Sequence, residues 1–351
     1  MDKPFLDKLR RIDPYVPGEQ PQSENIIKLN ANENPYPPAP GVQAALRGFD
    51  ASALALYPDA NGRRLKAALA ERFGVKPSQV FLGNGSDDVL ALAFQSFFCS
   101  GQPILYPDIT YSFYPVWCDL FRIPYETVPL DGDFCVNIRD YDRPNGGVVL
   151  PNPNAPTGRG LPLAAVEDLL QHNRDCVVII DEAYVDFGAE SAVPLLDRYE
   201  NLLVVQTMSK SRSLAGLRIG YALGSETLIA TLEAVKNSYN SYTMDAVALA
   251  AGEAAVRDEA YFQQTCRRVA ATRERAADAL RALGFTVSPS LTNFLFVTHP
   301  VRKAPEIFEY LRQKNIFIRY FRLPRIDNYL RITVGTDAQM DALIAALREM
   351  P

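Results

Sequence analysis

The sequence predicts an α/β fold, with a mostly parallel central sheet covered by helices on both faces and a smaller α+β domain attached. Three observations predict it. First, short and wholly apolar runs recur along the chain, among them Val148-Val149-Leu150, Val177-Val178-Ile179-Ile180 and Leu202-Leu203-Val204-Val205. Runs without polar alternation belong to strands buried on both faces, the habit of parallel sheets. Second, amphipathic stretches separate these runs, and strands alternating with helices build layered α/β domains. Third, the 351 residues, 48% of them hydrophobic, suffice for one large core and a second, smaller one.

Taken in order, residues 1–40 are rich in Pro and Asn, show little periodicity and read as an arm. Val80-Phe81-Leu82 reads as a strand, Gly83-Asn84-Gly85 as a turn, and Asp87 to Phe98 as a helix. Strands follow at Pro103–Tyr106 and Gly147–Leu150, a helix at Leu163–His172, then strands at Cys176–Ile180, Leu202–Gln206 and Leu217–Leu223. From about Met244 to Leu283 the chain is rich in Ala, Arg and Glu with few breakers, which predicts long helices. Strands at Asn293–Val297, Ile316–Tyr320 and Tyr329–Val334, with helices at Pro305–Lys314 and Asp337–Glu349, complete a compact α+β unit. The expected division is an N-terminal arm over 1–40 packing with the small domain, a large domain over 41–245 and a small C-terminal domain over 246–351. Ligands of open α/β sheets bind beyond the carboxyl ends of the strands, so the chemistry is expected on those loops.

Composition removes several function classes. The net charge is −5 with no long basic run, which argues against nucleic acid as a partner. Five cysteines are scattered without a C-x-x-C pair, as expected of reduced thiols in a cytoplasmic protein and not of a zinc site. The N-terminus, MDKPFLDKLRRIDPY, lacks the apolar core of a signal peptide, and no apolar run reaches the length of a membrane span. The only histidines are His172 and His299, with no H-E-x-x-H and no G-x-S-x-G. Zinc-protease chemistry is therefore excluded and a serine–histidine triad disfavoured, so no metal is expected. Proton transfer must fall to another group, and lysine is the obvious candidate.

Lys210 follows the run Leu202–Val205 closely and is flanked by Ser209 and Ser211. A lysine at the mouth of a buried strand is poorly placed as a solvated surface charge and well placed to condense with an aldehyde. Asp181 ends another apolar run in the same manner. Alone, an Asp at a strand end is more often a helix or turn cap. Together the two point to pyridoxal phosphate (PLP), which needs a lysine for its aldehyde and an acid for its pyridine nitrogen. Gly83-Asn84-Gly85-Ser86-Asp87 joins a strand to a helix and offers N–H groups to a phosphate, and it is not the G-x-G-x-x-G of a nicotinamide site. Thr207, Ser209 and Arg218 are further phosphate candidates. Arg218 stands among apolar neighbours, where a guanidinium needs an anion.

These residues, in this order, resemble the fold-type I PLP-dependent aminotransferases, and among them the histidinol-phosphate aminotransferase branch of class II. The motifs run from Leu29-Asn30-Ala31-Asn32-Glu33-Asn34-Pro35 through Thr207-Met208-Ser209-Lys210 to Leu330-Arg331-Ile332-Thr333-Val334-Gly335. The resemblance implies that Lys210 binds the cofactor aldehyde and moves protons. It implies that Asp181 partners the pyridine nitrogen, that Tyr184 contacts the ring oxygen and that Tyr111 stacks on the ring. Gly85, Ser86, Asp87, Thr207, Ser209 and Arg218 match the phosphate cup. Tyr57 matches a tyrosine that reaches the neighbouring subunit's cofactor, so a homodimer is implied. The family loop Pro-Asn-Asn-Pro-Thr-Gly here reads Pro153-Asn154-Ala155-Pro156-Thr157-Gly158. Ala155 cannot contact the ring oxygen, so either Asn154 takes that contact through a shifted loop, the assignment preferred here, or Tyr184 carries it alone.

Arg331 matches the arginine that grips the substrate's acidic end, with Arg319, Tyr15 and Asn32 as further substrate contacts. A phosphate dianion favours more than one cation. The implied reaction is transamination between L-glutamate/2-oxoglutarate and imidazole acetol phosphate/L-histidinol phosphate, a step of histidine biosynthesis. Rivals on the same fold are an aromatic or broad-specificity aminotransferase and a threonine-phosphate decarboxylase. A non-catalytic PLP-binding regulatory module is disfavoured, because residues 1–40 are too short and Pro-rich for a helix-turn-helix.

Overall fold

The computed structural model describes residues 4–16, 18–21 and 25–351. The arm contributes β1 (Ile27–Lys28), followed by α1 (Pro40–Arg47) and α2 (Arg63–Phe73). The large sheet is then laid down by β2 (Val80–Asn84), α3 (Ser86–Phe97), β3 (Ile104–Pro107), α4 (Phe113–Phe121), β4 (Tyr125–Val128), β5 (Gly147–Pro151), α5 (Leu163–His172), β6 (Val178–Asp181), β7 (Leu202–Thr207) and β8 (Ile219–Gly224). Its order is β2-β8-β7-β6-β5-β3-β4. All pairs are parallel except the two that involve β8, which runs antiparallel to both neighbours. The turn-back of β8 brings its amino end, and Arg218 before it, to the edge where β2, β6 and β7 deliver their carboxyl ends.

Side-chain alternation splits each apolar run between two cores. Leu82, Val148, Leu150, Val178, Ile180, Leu202 and Val204 face one side, with α2 and α5. Phe81, Val149, Ile179, Leu203 and Val205 face the other, where α3 and α4 pack with α6 (Glu226–Tyr239). This is why the runs carry no polar alternation: both faces of the sheet are covered.

The chain continues through α7 (Ala246–Arg257) and α8 (Glu259–Ala282), the long helices expected there. Ala248, Ala251 and Ala255 of α7 join the first core of the large sheet. By packing, α7 therefore sits with the large sheet although it follows residue 245, because its small side chains let it approach α1 and α2 closely. The C-terminal unit comprises β9 (Thr286–Val287), β10 (Phe294–Thr298), α9 (Ala304–Gln313), β11 (Ile316–Phe317), β12 (Arg319–Tyr320), β13 (Tyr329–Thr333) and α10 (Asp337–Glu349). One sheet runs β12-β13-β10-β9, and β11 pairs separately with β1 of the arm. The stretch expected as one strand at Ile316–Tyr320 is thus two short strands in different sheets. Leu29 enters the C-terminal core beside Leu280, Ile307 and Leu343. Among the described residues no helix is long and apolar enough to cross a membrane.

Candidate active site

A cleft of about 510 Å³ opens where the carboxyl ends of the large sheet meet the arm and the C-terminal sheet. Tyr15, Asn32, Ser86, Asp87, Tyr111, Asp181, Tyr184, Thr207, Ser209, Lys210, Arg218, Arg319 and Arg331 all line it. Residues spread over more than three hundred positions of sequence therefore meet at one place.

Lys210 sits just beyond β7. Its Nζ lies 3.4 Å from the carbonyl of Ala31 and 5.9 Å from the centre of the Tyr184 ring. Among the described residues it has no carboxylate partner, so its amine is not held in an ion pair. The backbone around it is pinned from outside. Asn34 Nδ2 donates to the carbonyls of Lys210 and Ser211, at 3.0 and 3.2 Å, and Ser211 Oγ donates to Asp186.

Asp181 ends β6 and is only 5% exposed. Its Oδ2 accepts a hydrogen bond from the Tyr114 hydroxyl at 2.8 Å, and its Oδ1 accepts from the Ala183 N–H at 3.2 Å. Burial pushes its carboxyl up to about 6, and the Tyr114 hydrogen bond pulls against that rise. No cation of the described residues pairs with it. A buried carboxylate without a counter-charge is costly, so the position calls for a cationic ligand atom.

The wall nearest α3 carries the anion-binding features. Ser86 and Asp87 open that helix, whose first-turn N–H groups have no intrahelical partner. Gly85 before them has φ +86°, and a Cβ there would strike the Arg218 guanidinium. Gly220 on β8 would likewise drive a Cβ into the backbone of Gly85 and Ser86. Two strands and a guanidinium thus close around one spot that only glycines allow. Arg218 reaches Asp87 at 3.1 Å, Tyr111 donates to Asp87 at 2.7 Å, and Thr207 Oγ1 donates to Ser209 Oγ at 3.0 Å.

At the opposite end, β12 and β13 set Arg319 directly across from Arg331. Like charges opposite one another on adjacent strands repel. Neither arginine has a carboxylate partner among the described residues. Arg331 donates to the carbonyl of Asn30 at 3.1 Å, while its Nε is buried with no partner. Burial draws the Arg331 guanidinium below its ordinary value, and the charge of Arg319 adds to that. Tyr15 stacks on Phe113 with ring centres 4.2 Å apart, roofing this end, and Asn32 Nδ2 donates to the Tyr184 hydroxyl at 2.9 Å. Arg325, by contrast, is tied to Asp108 at 2.7 Å and is not available to the cleft.

Of the expected site residues, Gly85 stands behind the lining, at the turn before Ser86, and two others lie elsewhere. Asn154 is 2% exposed and does not line the cleft. Its Nδ2 donates to the carbonyl of Ile109 at 2.9 Å and to Thr157 Oγ1 at 3.0 Å, and its Oδ1 accepts from Thr110 at 3.1 Å. The amide is spent on holding two loops together and does not point into the cleft, against the preference for Asn154 as a ligand contact, whereas Tyr184 does line the cleft. Ala155, its neighbour, does line the cleft. Tyr57 is 81% exposed and stacks on Tyr242, outside the cleft of its own chain. One residue that touches the site escaped the sequence reading: Tyr114, in the first turn of α4, which reaches the cleft through Asp181.

Comparison with known proteins agrees with this geometry. Residues 24–347 match the model of the aminotransferase class I and II family. Histidinol-phosphate aminotransferase 2 of Dechloromonas aromatica is 58% identical over 354 residues, spanning 100% of this chain and 99% of its own. Histidinol-phosphate aminotransferase 1 of Methylococcus capsulatus is 56% identical, over 97% of this chain and 96% of its own. Among solved structures, the histidinol-phosphate aminotransferase of Sinorhizobium meliloti in complex with pyridoxal-5'-phosphate superposes with a TM-score of 0.84 at 28% identity, over 92% of this chain and 90% of its own. The cleft, the fold and these likenesses along the whole chain together place it in the class I and II aminotransferase family, in the histidinol-phosphate aminotransferase branch.

Proposed function

We propose that the cleft holds PLP and that the protein exchanges an amino group between L-glutamate/2-oxoglutarate and imidazole acetol phosphate/L-histidinol phosphate, in histidine biosynthesis. The observation that carries the substrate is the Arg319–Arg331 pair, two facing cations in the cleft with no carboxylate of the described residues between them. A carboxylate satisfies one guanidinium in a bidentate fork, whereas a phosphate dianion can engage both.

The residues fit the cofactor. The glycine-walled recess at the start of α3, with Ser86, Thr207, Ser209 and Arg218, suits its phosphate. Asp181 supplies the buried acid that lacks a cation, and Lys210 the amine that lacks an acid. When bound, PLP supplies an aldehyde carbon to carry the amino group and an electron-withdrawing ring. Asp181 would hold a proton at the ring nitrogen, Tyr111 would cover the ring, and the Tyr184 hydroxyl, oriented by Asn32, would serve the ring oxygen. Lys210 Nζ takes the proton from the substrate carbon that bears nitrogen and delivers it across to the acceptor carbon, general acid–base work by one amine. Tyr15, stacked on Phe113, lines the same cleft.

A half-reaction assay tests this. Histidinol phosphate should convert the protein's bound chromophore at least tenfold faster than phenylalanine, tyrosine or aspartate does at equal concentration. An aromatic amino acid winning that comparison would show a different substrate on the same chemistry, and carbon dioxide release would show a decarboxylase.

The working unit is proposed to be a homodimer. Tyr57 and Tyr242 stack in the open, and Leu56, adjacent to Tyr57, and Tyr239, three residues before Tyr242, are also exposed. Contiguous exposed apolar surface marks an interaction site. Since Tyr57 does not reach its own cleft, it is assigned to the partner's. Sedimentation should give twice the 39.0 kDa chain mass, and a monomer at micromolar concentration would refute the assignment.

A further inference from the structure

Tyr114 is fully buried at the start of α4, does not line the cleft, and touches it only through Asp181. It is the one side chain of the described residues that donates to that carboxylate, from a cage formed by Phe94, Tyr106, Tyr111 and Trp117. A phenol needed only to fill that cage would do so without a hydroxyl aimed at an acid.

We propose that Tyr114 is a positioning residue for the reaction: its hydroxyl, 2.8 Å from Asp181 Oδ2, keeps that carboxylate ionised and turned toward the cleft, so that the shared proton rests on the cofactor's ring nitrogen and not on the acid. The inference rests on the cofactor reading above.

The physical reason is a contest of two effects. Burial favours the neutral acid, and a hydrogen bond to the charged form favours the carboxylate. Asp87, Tyr111, Tyr184 and Lys210 face the same cleft, and of these Asp87 pushes Asp181 further toward protonation. Tyr114 opposes both. Burial and the neighbouring acid raise its own phenol well above the ordinary value, so it donates across the working pH range and never competes for the proton. Without it Asp181 becomes the stronger base. The proton then moves from the ring nitrogen to the acid, and the ring loses its electron-withdrawing charge.

Tyr114→Phe removes the hydroxyl alone. In cofactor-free protein with labelled aspartate carboxyls, the carbon-13 titration of Asp181, assigned by its loss in Asp181→Asn, should rise by about one pH unit. In the loaded protein with ring nitrogen-15 PLP, the resonance should move from the protonated toward the neutral pyridine position. The kcat should fall about tenfold with the KM for glutamate nearly unchanged, as one pH unit of lost differential stabilisation implies. In an Asp181→Asn background the same change should add nothing, because the pair acts as a unit. An unmoved titration and nitrogen resonance, or a full further loss in the Asp181→Asn background, would overturn the proposal and leave Tyr114 a core residue. If Tyr114→Phe fails to fold, fluorotyrosine at position 114, a more acidic donor, should lower the Asp181 titration, and no change would overturn the proposal equally. Wild-type protein that takes up no PLP would overturn the cofactor reading along with this inference. A loaded wild type matched in every readout by Tyr114→Phe overturns this inference alone.

Discussion

Lys210→Ala is expected to lower kcat by at least about a thousandfold, within the range that a lost acid–base group costs, while the fold stays intact. Two features of the structure separate those outcomes. The Lys210 side chain makes one long contact, 3.4 Å to the Ala31 carbonyl, and no ion pair among the described residues. Its removal therefore breaks little. The loop that carries it is held by groups that do not involve the amine: Asn34 on two carbonyls, Asp186 on Ser211, and Glu259 with the Ala255 carbonyl on Arg212. A melting curve should agree with wild type to within a few degrees while turnover of either substrate pair disappears. A variant retaining a tenth of wild-type turnover would mean that another base moves the protons; the other lysine lining the cleft among the described residues, Lys28, is tied to Glu33.

What the sequence disclosed depended on how local each signal is. The helix limits at Leu163–His172 and Asp337–Glu349 were legible because each carries an apolar stripe within a few turns, the second with a Thr336–Gln339 capping box as well. The apolar runs announced buried strands, but an apolar run has no direction, so the reversal of β8 that brings Arg218 to the cleft was not readable. The α4 segment FYPVWCDLF is apolar on nearly every side, so no period marked it as a helix, and Tyr114 stayed hidden with it. Asn154 failed for a related reason. Its motif is local, but two of the groups that claim its amide, Ile109 and Thr110, come from more than forty residues upstream. The family pattern led to most of the residues that line the cleft. The groups behind them, which set charge and orientation, are determined by packing between distant segments. The same holds for Arg319 and Arg331, whose residue types were visible in the sequence and whose opposition depends on strand register.

That opposition sets the second large expectation. Arg319→Ala should reduce kcat/KM for histidinol phosphate by about a hundredfold, within the range for truncating one member of a buried charged contact, and reduce it for glutamate only a few-fold. A carboxylate can be held by Arg331 alone, through the edge left by its unpartnered Nε. A phosphate dianion loses half of its counter-charge. The pair also makes a prediction in the absence of substrate. Facing cations with no anion between them oppose folding, so Arg319→Ala should leave the ligand-free protein as stable as wild type or slightly more so, and inorganic phosphate should raise the melting temperature of wild type more than that of the variant. Arg331→Ala should instead harm both substrates, because the acidic end of each would be left with Arg319 at the edge of the site. Single-turnover rates with each amino donor separate these outcomes. Equal losses for histidinol phosphate and glutamate in Arg319→Ala would show that the second cation does not read the phosphate, and the substrate assignment would fall while the chemistry at Lys210 stood.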